Sequence, residues 1–211
     1  MKRLVFLFLA IALLGAASAR AEFRYGPIAG VTVSHLSFKQ DLVDVDQAVG
    51  YQAGIQGELM FPGIGFGIDL GLIYNQANAN VNLGQRLIWS SQGFGREKVM
   101  LHSILIPVHV RFKWTRMNGL EDKIAPLVYF GPDFNINCGH NKIRGFEGVG
   151  NPFSYAGGGL GLTVGLGAEL WKNWQLTASY TWGMTYALKT RLLDDFSARS
   201  SQWTVRVAYL F

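Results

Sequence analysis

The chain has 211 residues, with 19 Lys and Arg against 14 Asp and Glu, and its single cysteine excludes an internal disulfide. Lys2, Arg3 and Arg20 stand in an N-terminal leader, so residues 22–211 carry 16 basic and 14 acidic side chains, a net of +2. No basic patch remains, and nucleic acid is excluded as a partner.

The leader has the grammar of an export signal. Lys2 and Arg3 precede the apolar run Leu4–Leu14, and Ala19-Arg20-Ala21 matches the small-x-small cleavage rule. Cleavage is expected after Ala21, with Ala19 as second choice. The apolar run is too short to cross a bilayer as a helix, and no longer one follows. No cysteine near the cut suggests a lipoprotein anchor. One domain is expected over 22–211.

Eight segments of that domain alternate with period 2, the mark of strands with two unlike faces. The first, from about Tyr25 to Phe38, sets Ala29, Val31 and Val33 against Gly30, Thr32 and Ser34. The second sets Tyr51, Ala53, Ile55, Leu59 and Phe61 against Gln52, Gly54, Gln56 and Glu58. The third sets Phe66, Ile68, Leu70, Leu72 and Tyr74 against Gly67, Asp69, Gly71 and Asn75. The fourth runs Ile104 to Trp114 on its apolar side, with Ser103, His109, Arg111 and Lys113 opposite. The fifth opposes Val128, Phe130, Phe134 and Ile136 to Tyr129, Gly131, Asp133 and Asn135. The sixth opposes Leu160 through Leu170 to Gly161, Thr163, Gly165, Gly167 and Glu169. The seventh opposes Trp174, Leu176, Ala178, Tyr180 and Trp182 to Gln175, Thr177, Ser179 and Thr181. The last puts Trp203, Val205, Val207, Tyr209 and Phe211 on one face, with Arg206 on the other.

Short connections at Pro62-Gly63, Asn118-Gly119 and Lys172-Asn173 alternate with longer ones, about Lys39–Val49, Gln76–Lys98, Asn137–Tyr155 and Lys189–Ser200. Aromatic residues gather at both strand ends: Phe61, Phe66, Trp114, Trp171, Trp174 and Phe211 at one, Tyr51, Tyr74, Trp182, Tyr186 and Trp203 at the other. A soluble sandwich also alternates. The leader, the alternating loop lengths and the aromatic last strand favour an all-β, eight-stranded antiparallel up-and-down transmembrane β-barrel with short periplasmic turns and longer extracellular loops. This places the chain in the outer membrane of a Gram-negative bacterium, among outer-membrane lipid and lipopolysaccharide, with the barrel-assembly machinery needed for insertion.

Four stretches carry a family resemblance. Tyr51 to Leu59, Gly67 to Asn75, Ile104 to Phe112 with its Ile-Leu-Ile-Pro, and Pro126 to Pro132 with its Tyr-Phe-Gly-Pro resemble the PorT-like outer-membrane barrels, a porin family of Bacteroidetes. Gly165 to Glu169 and Ala178 to Tyr180 also fit. Asp69 stands where many members have glutamate, and Ser154 to Gly157 replaces an aspartate-containing strand start. The resemblance implies an eight-stranded barrel and supplies no reaction.

The inward faces carry Glu58, Asp69, Arg111, Lys113, Asp133, Glu169 and Arg206. Glu58 and Asp69 invite an acid/base reading. An eight-stranded barrel is only wide enough for side chains to fill, however, and buried charges must pair. A polar plug is therefore expected, with Arg206 meeting the carboxylates. The glycine run Gly157 to Gly167 lacks the helix that a phosphate-binding loop needs. His35-Leu36-Ser37 has no acid to orient the base. Cys138 and His140 are too few to define a metal site, and Asp41, Asp44 and Asp46 lack calcium-loop spacing. No catalytic residue, cofactor or metal is expected. The expected role is structural or interactive, through a protein or surface ligand at the extracellular loops; a small-solute porin and a lipid-modifying enzyme are the alternatives.

Overall fold

The computed structural model describes residues 22–38, 43–61, 63, 65–191 and 197–211. The expected leader, with its cleavage point, and Asp41 lie outside the described residues. The strands are β1 (Glu22–Phe38), β2 (Asp44–Met60), β3 (Phe66–Asn82), β4 (Arg96–Lys113), β5 (Ile124–His140), β6 (Phe153–Tyr155), β7 (Gly158–Leu170), β8 (Trp174–Gly183), β9 (Tyr186–Thr190) and β10 (Ser197–Tyr209). Eight of them pair antiparallel in the order β1-β2-β3-β4-β5-β7-β8-β10. β10 then pairs with β1 from Ile28↔Ala208 to Phe38↔Ala198, which closes the barrel. The short β9 continues β8 along β10, and β6 pairs with β9, forming a flap on the rim.

The closed eight-stranded barrel is the architecture the alternation predicts, but its strands are longer than expected. β1, β2, β3 and β5 have 17 residues and β4 has 18, whereas ~9–11 suffice to cross a bilayer. Much of what looks like the connections 39–49, 76–98 and 137–155 is strand. The reason lies in a reversal of polarity along one unbroken parity. In β3 the outward positions run Phe66, Ile68, Leu70, Leu72 and Tyr74, then Gln76, Asn78, Asn80 and Asn82. The inward positions run Gly67, Asp69, Ile73 and Asn75, then Ala77, Ala79 and Val81. β4 does the same, with Lys113, Arg111 and His109 inward below and Leu101 and Val99 inward above. Lipid requires apolar residues outside; water above the membrane requires them inside.

The upper inward residues form a small core of ordinary soluble type. Leu36, Val81, Leu83, Val99, Leu101, Phe153, Leu188 and Ala198 pack around Trp89, which is 0% exposed. Trp89 comes from α1 (Leu87–Ser90), a single helical turn in the β3–β4 connection. That connection is pinned by Leu83 N–H donating to the Gly95 carbonyl at 2.9 Å.

The opposite rim carries the short turns and both described chain ends. Phe211 N–H donates to the Tyr25 carbonyl (2.9 Å) and Leu210 N–H to that of Asn173 (2.8 Å). In the three-residue connection between β7 and β8, Trp171 and Lys172 both have positive φ, 50° and 67°, a handedness that suits strand twist. Lys172 reaches Asp122 at 2.9 Å, and that hydrogen bond raises its pKa. Asn118 and Gly119 also have positive φ, but β4 ends at Lys113 and β5 begins at Ile124. They sit in a longer turn, held by the Glu121 carboxylate accepting from Met117 N–H (3.0 Å) and Gly119 N–H (2.8 Å).

Two aromatic belts ring the outer wall. The lower contains Phe66–Phe112 (4.9 Å), Phe112–Trp114 (4.6 Å), Trp174–Tyr209 (5.0 Å) and Tyr209–Phe211 (5.0 Å). The upper contains Tyr51–Tyr74 (5.8 Å) and Tyr180, which meets both Trp182 (4.6 Å) and Trp203 (4.7 Å). Between them Leu70, Leu72, Val164, Leu166, Val205 and Val207 face outward. Of the closing strand's outward residues, Trp203 and Phe211 are among the most exposed and Tyr209 is partly covered.

Candidate functional site

The lumen below the apolar cap holds two tiers of polar side chains. The lower tier centres on Glu58 of β2, 0% exposed. One carboxylate oxygen accepts from Arg24 (2.6 Å) and Lys113 (2.6 Å). The other accepts from Arg111 (2.5 Å) and from the Gln175 amide (2.6 Å). Glu169 of β7 receives the same Arg24 (2.5 Å) and Lys113 (2.8 Å), and Gln175 at 2.9 Å. Arg111 turns its other edge to Asp69 at 2.7 and 2.8 Å. Three cations thus interlock with three carboxylates, so the tier is neutral while almost every donor and acceptor in it is engaged. Such geometry is what makes buried charge tolerable.

The upper tier is built on Asp133 of β5. His109 Nε2 lies 2.8 Å from one of its oxygens, and the Thr163 hydroxyl bonds the other. His109 also stacks on Tyr129 at 5.2 Å. A Cβ at Gly165 would collide with the Tyr129 ring, so the glycine there makes room for the phenol. Arg206 faces inward, but its Nε donates to the Gln52 amide oxygen (2.7 Å), and Gln52 continues to Asn75 (2.9 Å). The expectation that Arg206 meets the carboxylates is corrected: no carboxylate lies within ion-pair distance among the described residues, and the Gln52 amide holds the guanidinium instead. Asp133 likewise stands apart from the Glu58 cluster.

Glu58, Asp69, Arg111, Lys113 and Glu169 are therefore brought together, with Asp133 and Arg206 in a separate tier. Sequence reasoning missed Arg24, Gln175 and His109 as members. Arg24 lies one residue before the segment recognised as the first strand; carrying the parity back from Gly26 would have reached it. Gln175 and His109 stood on the correct face, but neither carries the fixed charge that marks the other members.

Free space in this lumen is small. A void of about 10 Å³ lies between the tiers, beside Asp69, His109, Arg111 and Arg206, at the limit for a single water. About 60 Å³ remains above, around Asn75, Asn135, Thr181 and Gln202. The Thr163–Asp133–His109 row does not form a nucleophile–base pair, since hydroxyl and imidazole approach the carboxylate and not each other. His35 and Ser37 stand opposite Ser201 and Arg199, and His35 Nδ1 has no partner. Cys138 is exposed, the extra residue where pairing slips from His102↔Gly139 to Ser103↔Asn137. Among the described residues no three His, Cys, Asp or Glu side chains group as metal ligands.

Residues 6–211 match the outer membrane protein beta-barrel domain, nearly the whole chain. The chain belongs to that family. Its place is the outer membrane of a Gram-negative bacterium. No curated protein matches this barrel. Among solved structures, it is similar to Ail of Yersinia pestis in complex with the heparin analogue sucrose octasulfate, at 14% identity, 90% of this chain, 99% of that chain and a TM-score of 0.44. It is similar to Neisserial surface protein A at 15% identity, 90% and 99% coverage and a TM-score of 0.49. For the N-terminal β-barrel domain of Pseudomonas aeruginosa OprF the values are 10%, 87%, 97% and 0.37.

Proposed function

We propose that this outer-membrane barrel is a closed, non-enzymatic protein that acts by holding a recognition surface at its extracellular end. The observation that carries this reading is the lower lumen tier. Six interlocked charges from β1, β2, β3, β4 and β7 fill the cross-section, and opening a path would strand several of them in a low-dielectric interior. The apolar cap around Trp89 closes the same lumen from above. A wall this tightly locked, with rigid strands rising beyond the bilayer, suits a platform better than a conduit. Its partner is then a protein or surface ligand met at the extracellular loops.

Purified protein in planar bilayers is the test. The expected trace is flat, with no discrete ion steps; reproducible steps would replace this reading with the porin one. Unchanged lipid A mass spectra on deleting the gene are expected as well, and an altered profile would favour a lipid-modifying enzyme.

Residues 1–21 are assigned to a cleaved signal peptide, and lipopolysaccharide and the barrel-assembly machinery to the protein's surroundings. The resemblance at Ile104 to Phe112 and Pro126 to Pro132 supports a PorT-like barrel of a Bacteroidetes species.

A further inference from the structure

At the extracellular end of β5 the wall opens into a pocket of about 560 Å³, within the range of small-ligand sites. Its lining runs from Asn137–His140 and Lys142 across Asn151 and Phe153–Gly157 to Arg191. Among the described residues no carboxylate lines it. Among the described residues neither Lys142 nor Arg191 has an ion-pair partner, unlike Arg96, which is held by Asp46, and Lys172, held by Asp122. One wall is a flat platform, with the His140 ring stacked on Tyr155 at 3.7 Å. Amide and hydroxyl groups of Asn151 and Ser154 stand beside it. Asn137 ties the platform to the barrel by donating to the Ala156 carbonyl at 2.5 Å. Burial raises the pKa of the Tyr155 phenol, whose hydroxyl is enclosed.

We infer that this pocket binds a saccharide bearing phosphate or sulfate groups. Lys142 and Arg191, with no ion-pair partner and no carboxylate beside them among the described residues, select an anion. A planar aromatic face beside amides and hydroxyls suits a sugar ring, which offers an apolar face and a rim of hydroxyls. The inference rests on the recognition-surface reading and gives that surface a ligand class.

The chemistry has two sources: a sulfated polysaccharide from outside the cell, or the phosphorylated core of the bacterium's own lipopolysaccharide. The full barrel, in nanodiscs free of lipopolysaccharide, is titrated at low salt with a sulfated dextran oligosaccharide, with lipid-free phosphorylated core oligosaccharide, and with unsulfated dextran of equal length. Saturable binding of either charged probe, and none of the neutral one, is expected. Binding should weaken about tenfold or more in Lys142→Gln/Arg191→Gln, the loss expected for charge-assisted hydrogen bonds, and should survive in Lys98→Gln, outside the pocket. Preference for the sulfated probe assigns an external ligand; preference for the core assigns the cell's own surface. Equal binding by the double variant, binding of the neutral probe at the same strength, or no binding of either charged probe overturns the site. Ion steps in a bilayer would remove the closed-platform reading while leaving this titration standing, so the two failures are distinguishable.

Discussion

The membrane-embedded wall and its extracellular extension are built from the same strands, and in β3 and β4 from one unbroken side-chain parity, yet their interiors are opposites. Within the bilayer the inward residues are Glu58, Asp69, Arg111, Lys113 and Glu169, and the outward ones are Leu70, Leu72, Val205 and Val207. Above it the inward residues are Ala79, Val81, Val99 and Leu101, and the outward ones are Asn80, Lys98 and Arg199. Along β3 and β4 the side-chain parity does not change at the boundary; the solvent outside does. Where lipid surrounds the barrel, hydrophobic burial offers little reason to fill the interior with apolar residues, and directional ion pairs lock it. Where water surrounds it, a Trp-centred core does that work.

Substitutions should separate the two regimes, beginning with the strongest. Glu58→Ala leaves Arg24, Arg111 and Lys113 without their shared carboxylate and should cost about 3–5 kcal/mol, read as urea-induced unfolding from vesicles. Glu169→Ala should fall lower in that range, because Arg24 and Lys113 keep Glu58. Trp89→Ala removes the centre of the cap and should cost about 3–5 kcal/mol locally. Its mark is rapid proteolysis of the β3–β4 connection with the heat-shift of the membrane barrel on gels unchanged. Trp89→Phe should cost about 1.5 kcal/mol or less, because the indole N–H has no partner to lose. On the outward face, Val164→Arg should cost about 2–4 kcal/mol at mid-bilayer. Asn80→Arg, outward but above the belt, should stay within about 0.5 kcal/mol. At the periplasmic turn, Lys172→Gly relieves a left-handed backbone and should stabilise by about 0.5 kcal/mol.

The barrel was legible in the sequence because lipid imposes one rule on every strand: Phe66, Ile68, Leu70 and Leu72 alternate with Gly67, Asp69 and Gly71 without interruption. The extension was not, because Gln76, Asn78, Asn80 and Asn82 fall on the parity that had been apolar. Read alone, they look like a polar loop. Alternation shows two faces but not which solvent each meets, and the switch at Tyr74 becomes visible only once pairing carries β3 on to Asn82↔Arg96. The lumen was half legible. Parity gave five of the six charged members of the lower tier. Which cation meets which carboxylate depends on register across strands distant in sequence, as with Arg24 and Glu169. The β5 pocket left no sequence signal, since it joins His140, Tyr155 and Arg191 through the β6–β9 flap.

The reversal of faces with a closed lumen is tested most directly by a thiol-reactivity profile along β3 in intact cells, using a membrane-impermeant maleimide in a Cys138→Ser background. Gln76→Cys and Asn80→Cys should react; Leu70→Cys and Leu72→Cys, in lipid, and Ile73→Cys, Ala77→Cys and Ala79→Cys, inside the wall, should not. Labelling of Ile73→Cys would mean an open lumen, and labelling of Ala77→Cys and Ala79→Cys as strong as that of their neighbours would mean that the extracellular extension is a loop; either result would contradict the account.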